Sequence, residues 1–223
     1  MQELISNAQL DTSILNLIII LLVLTLIPTI IMMMTSFTRV IIVLSFTRSA
    51  MGTQQLPPNQ ILIGIALAIT LFIMAPVIDE INETAYKPYM EEEINIMQAL
   101  EIAQKPLSEF MYSQVRTEPK SLNLFLNMAG QDVSPESTEE IPLNVLIPAF
   151  VTGELSKAFK IGFMLFLPFI MIDMIVSSIL MSMGMMMLPP AMISLPFKLL
   201  LFVMVDGWNL VMQTIVMSFG GGG

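Results

Sequence analysis

The chain has 223 residues, 55% of them hydrophobic and 12% charged, with a mean hydropathy of +0.80 and neither cysteine nor histidine. An ordinary soluble domain carries about 25% charged residues, so a membrane or a very large buried interface must take up the surplus apolar surface. Thiolate chemistry and Ser/His or Cys/His catalysis are excluded, and 9 Lys and Arg against 18 Asp and Glu leave no basic patch for nucleic acid.

The net charge of −9 is local. Residues 79–140 hold 13 acids and 4 bases, while the rest of the chain balances at 5 of each. In chain order, the opening MQELISNAQLD has no basic region ahead of the first apolar run, which argues against an intact secretory signal. Between Asp11 and Arg39 lie 27 uncharged residues, and between Arg48 and Asp79 another 30. Each exceeds the roughly 20 helical residues that cross a hydrocarbon core. They are predicted to form one apolar hairpin over residues 1–78, with TRVIIVLSFTR as a short link carrying Arg39 and Arg48. The positive-inside rule puts that link in the cytoplasm and the acidic insert, residues 79–146, outside.

Within the insert, MEEEINIMQALEIA reads as a helix with acids at its start. SEFMYSQVR and SLNLFLNMAG read as further short helices, the last closed by Gly130, and QDVSPESTEEIP as a turn-rich connector. Residues 147–219 form a second apolar hairpin around a Met-Pro turn, and residues 220–223 a glycine tail. Lys157 and Lys160 fall on the wrong side of this topology and are expected to snorkel or to pair with Glu154 and neighbouring acids. The predicted fold class is all-α, a membrane-type protein of two long kinked hairpins with a small helical insert.

Each apolar segment contains a proline, Pro28, Pro76, Pro168 or Pro196, expected to kink its helix. Asp173, Lys198 and Asp206 are charges within apolar helices and are expected to pair inside protein or line water. Lys198 and Asp206 are about 12 Å apart along a helix, too far to bond. Measured from the Pro189/Pro190 turn, Asp173 lies about 21 Å up one arm and Lys198 about 12 Å up the other, so a staggered neighbouring subunit suits the pair better than one chain. A salt bridge holding an assembly and a proton relay both fit these residues. Gly64 with Ala68, and Ser178 with Ser182, offer small faces for close helix packing. No Walker loop, GxSxG elbow, HExxH or dinucleotide fingerprint occurs, and no cofactor, metal or enzymatic activity is expected.

The stretch MSMGMMMLPP puts five methionines, Met181, Met183, Met185, Met186 and Met187, ahead of two prolines. On a helix Met181 and Met185 share a face while Met186 and Met187 turn away from it, so one groove does not absorb all five. They are either gap-filling core and lipid-facing residues, or they point into a shared channel, where flexible thioethers make an apolar constriction that excludes water and ions.

MTSFTRVIIVLSFTRSAMGTQQLPPNQILIGIALAITLF, at 34–72, resembles the first hairpin of the FliP-type flagellar biosynthesis proteins. IPAFVTGELSKAFKIGFMLFLPFIMIDMIVSSILMSMGMMMLPPAMISLPFKLLLFVMVDGW, at 147–208, resembles their second half, and ALEIAQKPLSEFMYSQVR with LNLFLNMAG fits their insert. The resemblance implies a subunit of the flagellar type III export gate in the bacterial inner membrane, within the basal body. Five copies would assemble with gate subunits of FliR and FliQ type, work with export components of FlhB and FlhA type, and pass unfolded flagellar proteins. Lipid or detergent would cover the remaining apolar faces. The resemblance also implies that Met185, Met186 and Met187 form a gasket sealing a helical ring, with Met181 and Met183 nearby. Asp173, Lys198 and Asp206 are then expected at subunit contacts or the gate. It further implies an assembly largely above the bilayer plane, where apparent spans become buried interface helices. A proton-coupled small-molecule transporter using Asp173 and Asp206 is the competing reading, but the two hairpins show no internal repeat. A membrane scaffold without a pore is the third.

Overall fold

The computed structural model describes the backbone of residues 2–53, 55–130, 141–185 and 188–220, and side chains from residue 17 onward except Val23. Every regular element among the described residues is helical: α1 (Gln2–Met34), α2 (Phe37–Met51), α3 (Asn59–Ile81), a π-helical turn (Asn82–Tyr86), α4 (Lys87–Met90), α5 (Ile96–Arg116), α6 (Lys120–Met128), α7 (Leu143–Ser182), α8 (Pro190–Met204) and α9 (Gly207–Gly220). The all-α expectation holds.

The expected link is a helix at the centre of the molecule. In α2 the buried residues Phe37, Val40, Val43, Leu44, Thr47, Ala50 and Met51 recur at steps of three and four, the signature of a helix with one core face. Gly52 ends it in the left-handed region at φ 76°, where no Cβ penalty arises. Val40, Val43 and Leu44 are fully buried against α3, α7, α8 and α9. A bend of 66° at Thr35 and Ser36 separates the end of α1 from α2, and one of 65° at Val205 and Asp206 separates α8 from α9. Pro28, Pro76, Pro168 and Pro196 lie within helices, exposed, so the two sharp bends are not theirs.

The insert helices have their own core against the first half of α7, where Met111, Leu122 and Leu126 meet Leu146, Ala149 and Phe150. α5 starts later than the sequence suggests. Asn95 caps it, accepting from the Gln98 N–H at 3.0 Å while its own N–H donates to the Gln98 side chain at 3.0 Å. This capping box satisfies two orphan donors, and Glu91, Glu92 and Glu93 are left in the preceding turn rather than in the helix. SEFMYSQVR is the second half of the same helix. Gly130, at φ 71°, follows α6 as expected, and the connector at 131–140 lies outside the described residues.

Two helical runs, Asn59–Met90 and Leu143–Ser182, are long and apolar enough to cross a membrane, and up to four if each bent pair counts as one. α7 is 40 residues, about 60 Å, roughly twice a hydrocarbon core. Only 22% and 17% of the two runs' most apolar windows are buried within the chain.

Candidate functional site

The hairpin of α7 and α8 carries most of the residues singled out by the sequence. Lys198 Nζ lies 2.6 Å from Asp173 Oδ2, and Ser194 donates its hydroxyl to Asp173 Oδ1 at 2.6 Å. Lys198 and Ser194 are buried, while the Asp173 side chain is 37% exposed. The expectation of a partner in a neighbouring subunit is corrected: Asp173 and Lys198 pair within one chain. The error came from counting helical rise up to the prolines. α7 ends at Ser182 and α8 begins at Pro190, so Asp173 stands about 14 Å and Lys198 about 12 Å from their own helix ends. Ser194 was missed, although it sits four residues before Lys198 on one face of α8.

Asp206 does not meet this pair. It is exposed in the α8–α9 break at φ 52°, accepting from Asn209 Nδ2 at 2.6 Å. It is therefore not a buried charge within the chain, because the helix that was expected to enclose it stops at Met204.

The methionine run is interrupted by Gly184. At φ 73° it lets the chain fold back, with Met185 N–H donating to the Leu180 carbonyl at 3.0 Å and Gly184 N–H to that of Met181 at 3.1 Å. This is the Schellman closure, which satisfies carbonyls otherwise orphaned at a helix end. Met185 lies beyond the helix, so the shared helical face expected for Met181 and Met185 does not form. Met181 and Met183 are 64% exposed and Met185 is 44% exposed. Met186 and Met187 lie outside the described residues. Pro189 and Pro190 start α8, the latter at the first helical position where no N–H is needed. The small faces at Gly64, Ala68, Ser178 and Ser182 are likewise exposed, unused within the chain.

A second polar centre, missed by the sequence reading, joins four helices. Arg39 of α2 donates to both carboxylate oxygens of Glu154 in α7, at 2.8 and 2.5 Å. It also donates to the Ser218 carbonyl and hydroxyl in α9, at 2.7 and 2.9 Å, and to Gln114 Oε1 in α5 at 3.1 Å. Its guanidinium carbon lies 3.6 Å from the centre of the Phe219 ring. All five N–H donors are used, which is what a fully buried arginine requires. Arg39 is therefore not the surface charge that the topology argument assumed. Lys157 donates to the Gln114 carbonyl at 2.6 Å and approaches Glu154 at 3.8 Å, and Lys160 meets Glu118 at 2.6 Å, the pairing with neighbouring acids that was expected. That last contact holds the Glu118 carboxyl below its ordinary range.

The profile of the FliP family matches residues 20–215. The chain belongs to the FliP family. It is 52% identical over 208 residues to the flagellar biosynthetic protein FliP of Bacillus subtilis, covering 93% of each chain. It is 49% identical over 196 residues to that of Pectobacterium carotovorum, covering 88% of this chain and 75% of the relative. With that of Caulobacter vibrioides it shares 46% over 220 residues, covering 98% and 82%. The family match takes in α2 and both ends of the Asp173–Lys198 clamp. Among the described residues of this FliP-family chain, no three His, Cys, Asp or Glu side chains come together to hold a metal ion. The arrangement is a helical hairpin tied by the Asp173–Lys198 pair, with Met181, Met183 and Met185 exposed at the end of α7.

Proposed function

We propose that this chain is a pore-forming subunit of the flagellar type III export gate, conducting unfolded flagellar proteins across the bacterial inner membrane and serving as a core for basal-body assembly. The observation that carries this is the tip of the α7–α8 hairpin in a chain of the FliP family: Met181 at the end of α7, and Met183 and Met185 on the turn at Gly184, are exposed, with the Asp173–Lys198 pair and Ser194 tying the two arms together behind them. A flexible apolar side chain on a rigid mount suits a seal that must both exclude water and yield to a passing polypeptide. Several copies side by side would make the tips, residues 185–187 at their centre, a ring.

The apolar surface left open on both membrane-length helices supports assembly with further subunits; on this reading the ring holds five copies together with gate subunits of FliR and FliQ type. FlhB-type and FlhA-type components would feed it. The clamp and Asp206 would lie at subunit contacts or the gate, and the acidic insert on the extracytoplasmic side. Native mass spectrometry of the chain expressed alone, then with its gate partners, tests this. A species near five times 24.8 kDa that grows when partners are added is expected. A persistent monomer or dimer overturns the ring.

A further inference from the structure

A cavity of about 310 Å³ opens between α2, α5, α7 and α9, over the Arg39 centre. Its charges do not cancel. Arg39 and Glu154 neutralise each other at its floor, and Lys160 and Glu118 do so at its rim. Lys157, its side chain 14% exposed, is left over. Its ammonium gives two protons to neutral acceptors, the Gln114 carbonyl at 2.6 Å and Thr117 Oγ1 at 2.9 Å. The nearest carboxylate oxygen, Glu154 Oε1 at 3.8 Å, is already engaged by Arg39. A partly desolvated cation that shares its carboxylate with a buried arginine is under-compensated, and an anion in the cavity relieves it. Lys160 gives one proton to Glu118 and keeps two for a ligand.

The place of this cavity selects the anion. Beyond Lys160, α7 carries no further charge until Asp173, so the cavity stands at one end of an apolar stretch within a helix long and apolar enough to cross a membrane. Ile161 and Phe219 form an apolar wall beside the lysines. A cationic mouth next to an apolar wall matches the junction between a lipid phosphate and its acyl chains. We propose that the cavity seats the phosphate of an anionic phospholipid between Lys157 and Lys160, with the first acyl carbons along Ile161 and Phe219. The site is separate from the methionine tip and stands or falls independently of the pore.

Native mass spectrometry of the full chain in neutral detergent tests it, titrating phosphatidylglycerol, phosphatidylcholine and, separately, inorganic phosphate. Phosphatidylglycerol is expected to stay bound at concentrations where phosphatidylcholine does not. Lys157→Gln and Lys160→Gln each lower its apparent affinity roughly fivefold, while the distant Lys87→Gln leaves it unchanged. If Lys157→Gln fails to fold, Lys160→Gln, at an exposed position, decides alone. Equal retention of both lipids, or unchanged affinity in the lysine variants, overturns the site. Inorganic phosphate binding as tightly as phosphatidylglycerol also overturns the lipid assignment in favour of a free anion.

Discussion

Arg39→Met makes the sharpest test of how the fold is held. The arginine is fully buried, spends its donors on Glu154, Ser218 and Gln114, and lies over the Phe219 ring. Methionine keeps much of the apolar stem and removes the charge. Glu154, with 1% of its side chain exposed, is then left with only Lys157 at 3.8 Å. Breaking a buried pair by removing one partner costs about 3–5 kcal/mol, because an uncompensated charge stays behind. For a chain of this size about 1 kcal/mol moves the thermal midpoint by roughly 2–4 °C. Arg39→Met is therefore expected to lower the midpoint of helix loss in detergent, followed by circular dichroism, by roughly 6–20 °C. Glu154→Leu alone does comparable damage. The double variant Arg39→Met/Glu154→Leu leaves neither charge of the pair behind and is less destabilised than either single one. A single-variant cost under about 1 kcal/mol, or a double variant showing the sum of the two, would mean that the Arg39–Glu154 pair does not hold the helices together.

Three further outcomes follow from local geometry. A Cβ on Gly162 would stand 2.6 Å from the Phe46 ring, itself packed edge-on against Phe159, so Gly162→Ala is expected to cost about 1–3 kcal/mol by thermal melt, whereas Gly64→Ala, facing open space, costs nothing comparable. Ser194→Ala removes a part-buried hydrogen bond to the Asp173 carboxylate and is expected to cost about 1–2 kcal/mol, while Asp206→Asn at its exposed break stays within about 0.5 kcal/mol in the same melt. Because Lys160 holds the Glu118 carboxyl below its ordinary value of 4.5, their contact contributes above that value and is lost as pH falls through the lowered pKa. Carbon-detected NMR titration is expected to place the Glu118 midpoint under 4.5, moving back toward it in Lys160→Gln.

The residues that sequence reasoning placed well are those whose role is set by their immediate neighbours. Gly130 closes α6 because a glycine past a periodic run is a local signal, and the apolar runs declare their length without reference to the fold. α2 was lost to the strength of its flanks. Between two stretches of 27 and 30 uncharged residues, two arginines make any segment look like a polar link, yet its apolar residues already recur at helical steps. Arg39 finds its carboxylate 115 residues away, a pairing that no local pattern encodes. Asp173 and Lys198 were legible as a pair, but their heights depended on where α7 stops. Gly184, inside a run of strong helix formers, was the available signal for that stop.

The claim that the tip of the α7–α8 hairpin seals a pore is tested most directly by ion leak. Cells or proteoliposomes carrying the complete gate would be compared with ones in which Met185, Met186 and Met187 are all replaced by glycine. A closed gate that conducts ions in the variant and not in the parent is expected, with replacement by leucine restoring the seal. Unchanged membrane conductance in a variant that assembles normally would contradict it.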